Sequence, residues 1–387
     1  MKTFSEETVA ALQNIQTPFY YYDMQVLEKT LNTINTLVKD KPYHVHYALK
    51  SNVEDKVLKM IKTYGFGADC VSGNEVKKAL ACGFSPEKIA FAGVGKTDEE
   101  IYLGLDNNIF SFNCESKEEL IVINQLAKEK NKVADVALRI NPNVNANTHK
   151  YITTGLEENK FGINIWELDE LVEILKTLEN VKVTGIHFHI GSQITDLSSF
   201  KNLCTRVNEL QQYFENKRIH LSHINVGGGL GINYHEPDEE AVVDFASYFK
   251  IFDDFLTLRS HQELHFELGR AISANFGSLI GKVLYVKKGV KTNFAILDAG
   301  MTELIRPALY QSFHKIENIT SKATSQEKYD VVGPICESSD CFGKAVNLPT
   351  TERGDLIAIR SAGAYGAVMS SAYNLREQNP PVFSDEL

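Results

Sequence analysis

The sequence predicts an α/β fold in two parts, a (β/α)8 barrel of the TIM type and a β-rich second domain, and three features carry that prediction. Eight short apolar or β-branched runs lie between residues 45 and 268, separated by segments of helical period, which is the pattern of parallel strands joined by crossover helices. Beyond about residue 270 the texture changes to successive β-rich runs with no long amphipathic helix between them. At 387 residues the chain also exceeds the size at which one hydrophobic core stops growing, so a barrel with a substantial addition is expected.

Taken in order, the barrel strands are read at VHYAL (45–49), ADCV (68–71), IAFA (89–92), IFSFN (109–113), VALRI (136–140), VTGIHFHI (183–190), HINV (223–226) and LHFEL (264–268). Capping boxes at Thr97…Glu100 and Ser116…Glu119 open helices between them, and Gly65 and Gly83 stand where helices should end. Eight such units fit a closed barrel, with an open doubly wound sheet as the alternative. The later runs LIGKVLYV (279–286), FAILDAG (294–300), YDVVGPI (329–335) and LIAIRSA (356–362) read as an antiparallel β domain, to which FYYYD (19–23) adds a strand. The expected division is therefore a barrel over 24–268 and a discontinuous domain built from 1–23 and 269–387.

Composition excludes several classes. A net charge of −10 lacks the basic stripe a nucleic-acid binder needs. The six cysteines are scattered without a C-x-x-C pair, so neither a disulfide framework nor a structural zinc is expected. No apolar run reaches the roughly 18 residues of a membrane span, and the N-terminus has no basic region followed by an apolar one. A cytoplasmic protein acting on a small molecule is the expectation.

In a barrel, chemistry sits where strands end and βα loops begin. Lys50 occupies such a place; it is either a solvated lysine or an amine able to condense with an aldehyde. GGGLG (227–231) follows a strand and offers bare backbone N–H groups to a phosphate, but Ile232 stands where a dinucleotide fingerprint needs its third glycine. AFAGVGKT (90–97) imitates a phosphate loop with Ala90 at the required first glycine, and a nucleotide triphosphatase is rejected. In HFHIGSQ (187–193), His187 and His189 share a face; they are core histidines, a metal pair, or a ring (His189) to stack on an aromatic cofactor with Ser192 at its phosphate. Glu267, inside an apolar strand, is costly unless paired; beside a pyridine nitrogen it would keep that nitrogen protonated. Arg306 and Tyr310 in MTELIRPALY, and Cys336, Glu337 and Asp340 in CESSD, are the candidates in the β-rich half, each with a plain surface-loop alternative.

Lys50, HIGSQ, GGGLG, ELGR, IRPALY, CESSD and GAYG (363–366), in this order, resemble the diaminopimelate decarboxylase branch of the alanine-racemase-like (fold type III) pyridoxal-phosphate enzymes. The resemblance implies a homodimer with composite active sites and pyridoxal 5'-phosphate as cofactor. It implies Lys50 as the Schiff-base lysine, His189 stacked on the pyridine ring, and Glu267 at the ring nitrogen. The phosphate would lie against Ser192, Gly228, Gly229 and the backbone of Glu267 to Arg270, Gly269 included. Arg270, Arg306 and Tyr310 would face the substrate carboxylate and its neighbours. Cys336 and Glu337 would reach in from the second subunit, as proton donor and as ligand to a distal ammonium, and Tyr365 would close the site.

A carboxylate rather than an arginine at the ring nitrogen distinguishes this pattern from racemases and favours decarboxylation. An arginine at Arg306 together with an acid at Glu337 suits a substrate whose far end bears both carboxylate and amine. The expectation is decarboxylation of meso-2,6-diaminopimelate to L-lysine and CO2, the last step of lysine biosynthesis, with no metal. The rivals are a carboxynorspermidine or related polyamine-branch decarboxylase, a non-catalytic relative, and a zinc hydrolase built on His187 and His189. The sequence departs from the family at Leu268, where proline is common, and is shorter than many relatives.

Overall fold

The computed structural model describes residues 4–144 and 160–387. In chain order the first elements are α1 (Glu6–Leu12), β1 (Phe19–Tyr22), α2 (Met24–Val38), β2 (Tyr43–Ala48), α3 (Asp55–Thr63), β3 (Gly67–Cys70), α4 (Gly73–Ala81), β4 (Ile89–Phe91) and α5 (Asp98–Asn107). There follow β5 (Ser111–Cys114), α6 (Lys117–Glu129), β6 (Ala134–Arg139), α7 (Leu168–Leu175), β7 (Val181–His187), α8 (Ser198–Asn216), β8 (His223–Asn225), α9 (Phe245–Phe255) and β9 (Glu263–Leu268). The remainder is α10 (Arg270–Ser273), β10 (Gly277–Lys288), β11 (Asn293–Leu297), α11 (Arg306–Tyr310), β12 (Ile316–Asn318), β13 (Gln326–Val332), β14 (Cys341–Pro349), β15 (Leu356–Ile359) and β16 (Val382–Phe383). The chain forms two compact units, one of Met1–Thr30, Ile232–Val243 and Arg270–Leu387, the other of Leu31–Gly231 and Asp244–Gly269. These bounds differ from the sequence expectation at 24–30 and 232–243, which go with the sheet-rich unit, and at Gly269, which goes with the barrel.

The second unit is the closed parallel barrel β2 to β9. Its helices begin and end as their sequence dictates. Thr97 and Glu100 form a full capping box at α5, and three acids in its first turn complement the helix dipole. Ser116 caps α6, but the Glu119 carboxylate accepts from the backbone of Glu115 and from Lys96, so only half of that box forms. Lys96, from the rejected phosphate loop, is thereby a structural ion pair. Gly65 and Gly83 take left-handed φ values of +80° and +87° at the ends of α3 and α4. One apolar seam illustrates the wall packing: Tyr248, Phe249 and Phe252 of α9 pack their rings against Phe266 of β9 at centroid distances of 5.0 to 5.8 Å.

The sheet-rich unit is ordered β12-β15-β10-β11-β13-β14, with β1 joined to β10 and β16. It is mixed rather than antiparallel, since β11 pairs with β13, and β1 with β16, in parallel. The reason lies in the connection. After β11 the chain makes α11 and β12 before returning beside its start, and a parallel neighbour needs such a crossover. Its core joins both ends of the sequence: Leu12, Phe19 and Tyr21 bury against Ile280, Leu356 and Ala358.

Candidate active site

The C-terminal ends of the barrel strands gather a buried polar cluster around Glu267. Asn113 from β5 and Asn225 from β8 each donate to Glu267 Oε1 at 2.8 Å, and His187 Nε2 lies 2.8 Å from Oε2. Burial alone would push this carboxyl's pKa up, but the His187 imidazole, helped by Lys50 and His46, outweighs it and holds Glu267 well below the usual carboxylate range. Glu267 is therefore an ionised carboxylate in an apolar strand, made tolerable by three partners. Oε2 keeps acceptor capacity for a further donor.

Lys50 sits one turn beyond β2, with Nζ 3.7 Å from Asp69 Oδ2 of β3. Asp69 is buried, and burial together with the negative charge of Glu267 pushes its pKa up to about 8. Two carboxyls in one cluster are thus driven apart, one ionised and one keeping its proton. His189 lies past the end of β7; burial and the Arg139 and Lys50 charges lower its pKa well below the ordinary value, so the ring is neutral.

The loops after β7 and β8 are stitched together. Ile194 N donates to Gly229 O and Gly231 N to Ile194 O, both at 2.9 Å, which places Ser192, Gly228 and Gly229 at one end of the barrel. Here glycine is obligatory. A Cβ on Gly228 would lie 2.0 Å from Glu267 O, and on Gly229, at φ +104°, 2.6 Å from Gly191 O. The result is a cradle of bare backbone, without side chains, of the kind that receives a phosphate. Gly269 follows β9 directly.

The sheet-rich unit brings together Arg270, Arg306, Tyr234, Tyr310 and Tyr365. Both guanidiniums are buried; Arg270 donates to the Tyr234 hydroxyl and lies 5.0 Å from the Tyr365 ring, while Arg306 lies 5.7 Å from the rings of Tyr310 and Tyr365. Burial and the Arg270 charge lower the Arg306 pKa against the pull of the Tyr234 hydroxyl, and its Nε has no hydrogen-bond partner among the described residues. A buried cation without a carboxylate is costly, so the cluster is built for an anionic ligand. Cys336 and Glu337 are not brought to it within this unit. Both are exposed on the β13–β14 loop, where Glu337 accepts from the Tyr373 hydroxyl at 3.0 Å. Asp340 is buried, and its carboxylate takes the backbone N–H of Met301 and Ile335 at 2.7 Å, bracing that loop.

An amine, a neutral imidazole, an ionised buried acid and a bare-backbone cradle at one barrel end fit a phosphorylated pyridine aldehyde, and the sequence itself carries the corresponding family pattern. Residues 24–274 match the model of the pyridoxal-dependent decarboxylases, in their pyridoxal-binding domain. The chain belongs to this family. It is 59% identical over 376 residues to the diaminopimelate decarboxylase of Bacteroides thetaiotaomicron, covering 97% of each chain, and 42% identical to that of Haemophilus influenzae, covering 95% of this chain and 88% of the other. Among solved structures, diaminopimelate decarboxylase from Helicobacter pylori complexed with L-lysine superposes with a TM-score of 0.89 at 38% identity, over 96% of this chain and 92% of that one.

Within this decarboxylase fold, sequence reasoning missed several of the polar residues gathered with Glu267. Asn113, Asn225 and Asp69 lie in the runs IFSFN, HINV and ADCV, and a polar side chain within an apolar strand, the signal used for Glu267, marks each of them. His187, considered above for a His-x-His metal pair, meets Glu267 through Nε2.

Proposed function

We propose that the chain decarboxylates meso-2,6-diaminopimelate to L-lysine and CO2, with pyridoxal 5'-phosphate as its cofactor. The observation that carries this reading is the ionised Glu267, held by three partners with acceptor capacity left at Oε2, in the same cluster as Lys50. When bound, the cofactor supplies an aldehyde for the substrate amine and a cationic ring that accepts the electron pair left by departing CO2.

The chain's own groups then have defined tasks. Lys50 would hold the cofactor through its Nζ, the amine placed to condense with an aldehyde. Glu267 Oε2 accepts from the ring nitrogen and keeps its proton in place. His189, kept neutral by burial, would support the ring by stacking. Ser192, Gly228, Gly229, Gly269 and Arg270 receive the phosphate through backbone and hydroxyl donors. Asp69 holds a proton at its carboxyl 3.7 Å from Lys50 Nζ. Arg306, with Arg270 and Tyr310, takes the substrate's distal carboxylate, and Tyr365, held at φ +57°, covers it. Cys336 and Glu337, exposed on a braced loop, complete the site of a second copy in a homodimer, Cys336 giving the proton to the carbon that lost CO2 and Glu337 accepting from the distal ammonium.

The test is lysine and CO2 release from meso-diaminopimelate by purified, cofactor-loaded protein, beside the same assay with carboxynorspermidine. Turnover of the diacid at least a hundredfold better in kcat/KM supports the reading; preference for carboxynorspermidine, whose far end carries no carboxylate for Arg306, overturns it.

A further inference from the structure

The opposite, N-terminal end of the barrel interior carries a second cluster that the proposed reaction does not use. His44 is the second residue of β2 and the direct in-register neighbour of His265 in β9, with the two rings stacked at 4.9 Å. Glu263 opens β9, with Oε1 3.4 Å from His44 Nε2 and Oε2 3.6 Å from His265 Nε2. One donor atom from each of the three lies within 4.8 Å of the other two. A cavity of about 400 Å³ opens over them, lined by Tyr43, Tyr64 and Phe110 among others. Of the three lysines that line it, Lys41 is committed to Asp253 and Lys88 to Gly65 O, which leaves Lys39.

The hydrogen bonds beneath this cluster fix which nitrogen faces it. Lys88 O can only accept, so His46 Nδ1, 3.0 Å away, carries the proton. In a neutral ring His46 Nε2 is then an acceptor, and the His265 Nδ1 that lies 2.8 Å from it must donate. The lone pair of His265 is left on Nε2, a buried atom with no hydrogen-bond partner, directed at the carboxylate of Glu263. A lone pair facing a carboxylate is repulsive unless a proton, a bridging water or a metal cation lies between them. The same arrangement, a histidine whose other nitrogen is tied down from behind, is how proteins orient a metal ligand.

We propose that His44, Glu263 and His265 bind a divalent transition-metal ion of borderline softness, with Zn²⁺ as the reference ion. Two imidazole nitrogens and a carboxylate are its usual donor set, and tetrahedral ligands at about 2.0–2.1 Å stand about 3.3–3.5 Å apart. His265 is held in place, while His44 and Glu263, with side chains 44% and 53% exposed, are free to close that distance. Water from the cavity completes the shell. Because β2 and β9 are the first and last barrel strands, the ion clasps the seam at which the barrel closes, so its effect is on stability and not on turnover.

The experiment uses untagged, cofactor-loaded protein freed of metal by chelator and titrated calorimetrically with ZnCl₂, with thermal unfolding followed in parallel. One saturable site per chain is expected, accompanied by a rise in Tm. His44→Ala and Glu263→Gln, both surface changes, should each weaken binding at least tenfold and abolish the Tm rise while leaving kcat in the absence of zinc unchanged; Cys336→Ser should leave zinc binding intact. Absence of saturable binding, or binding that neither His44→Ala nor Glu263→Gln weakens, overturns the proposal.

Discussion

Two polar layers lie inside one barrel, two residues apart on the same face of β9, and they are made tolerable in opposite ways. Around Glu267 a charge is retained and surrounded by donors, Asn113, Asn225 and His187. Around His265 the charge is removed: burial keeps His46, His223 and His265 neutral, and they stack with Phe110 as an aromatic layer. Glycines on neighbouring strands make the room, since a Cβ on Gly67 would lie 2.4 Å from His46 Nδ1 and one on Gly185 2.2 Å from His223 Nε2. The difference teaches that a buried ionisable group states its use through its partners. A charge kept at the cost of several dedicated donors points to chemistry, and a charge suppressed by packing points to architecture.

That contrast breaks first at Lys50. Lys50→Ala should cost roughly 10⁴-fold or more in lysine release while leaving the far-UV circular dichroism and Tm of the protein almost unchanged, because the side chain is 40% exposed and Asp69, 3.7 Å from its Nζ, keeps its own proton. Glu267→Gln should follow with a fall in kcat of about 10²–10³, since the amide keeps the shape and can still accept from Asn113 and Asn225 but no longer opposes a cationic ring. KM should move less than kcat. Equal activity in Glu267→Gln would dissolve the distinction between the two layers.

The architectural layer should respond in the other observable. Gly185→Ala forces the His223 ring out of a packed stack and should lower stability by about 1–3 kcal/mol in urea unfolding, with kcat per folded molecule retained. A loss of kcat without a loss of stability would mean that the lower layer takes part in the chemistry.

Much of this was legible in the sequence because alternation and punctuation are local. Eight runs such as VHYAL and LHFEL declare strands through β-branched content, and Lys50 and Glu267 stand out by position at or near strand ends. What escaped is what depends on neighbours far along the chain. That Asn113, Asn225 and His187 converge on Glu267 follows from barrel closure, with sequence separations of 154, 42 and 80 residues. β14 was missed because CFGKAVNLP carries Gly, Lys and Pro and is half exposed along an edge of the sheet, so neither strict alternation nor a continuous apolar run marks it. The parallel pairing of β11 with β13 is a property of the connection between them, which no pattern within either strand encodes. Histidines 44, 46, 223 and 265 lie singly or in pairs in four-residue contexts that look unrelated until the strands are set side by side.

The finest distinction between the layers is a pH slope. Asp69 has its folded pKa raised to about 8 by burial and by Glu267, whereas in the unfolded chain it titrates near the ordinary value of about 3.9. Between those values the folded protein binds a proton that the unfolded chain has released. The stability this group contributes is therefore fully present below about pH 3.9 and is lost as pH rises through 8, at up to about 1.4 kcal/mol per pH unit. Asp69→Asn removes the titration and keeps the shape, so the difference in unfolding free energy between variant and wild type should grow in the variant's favour from pH 5 to pH 8, measured by urea unfolding of cofactor-free protein. Glu267 acts in the opposite sense and in a different window. Its folded pKa lies below the unfolded one, so its contribution is present above about pH 4.3 and is lost only on further acidification. Parallel stability profiles for Asp69→Asn and wild type from pH 5 to pH 8 would show that Asp69 is ionised in the folded protein, and that the two carboxyls are not held in different protonation states after all.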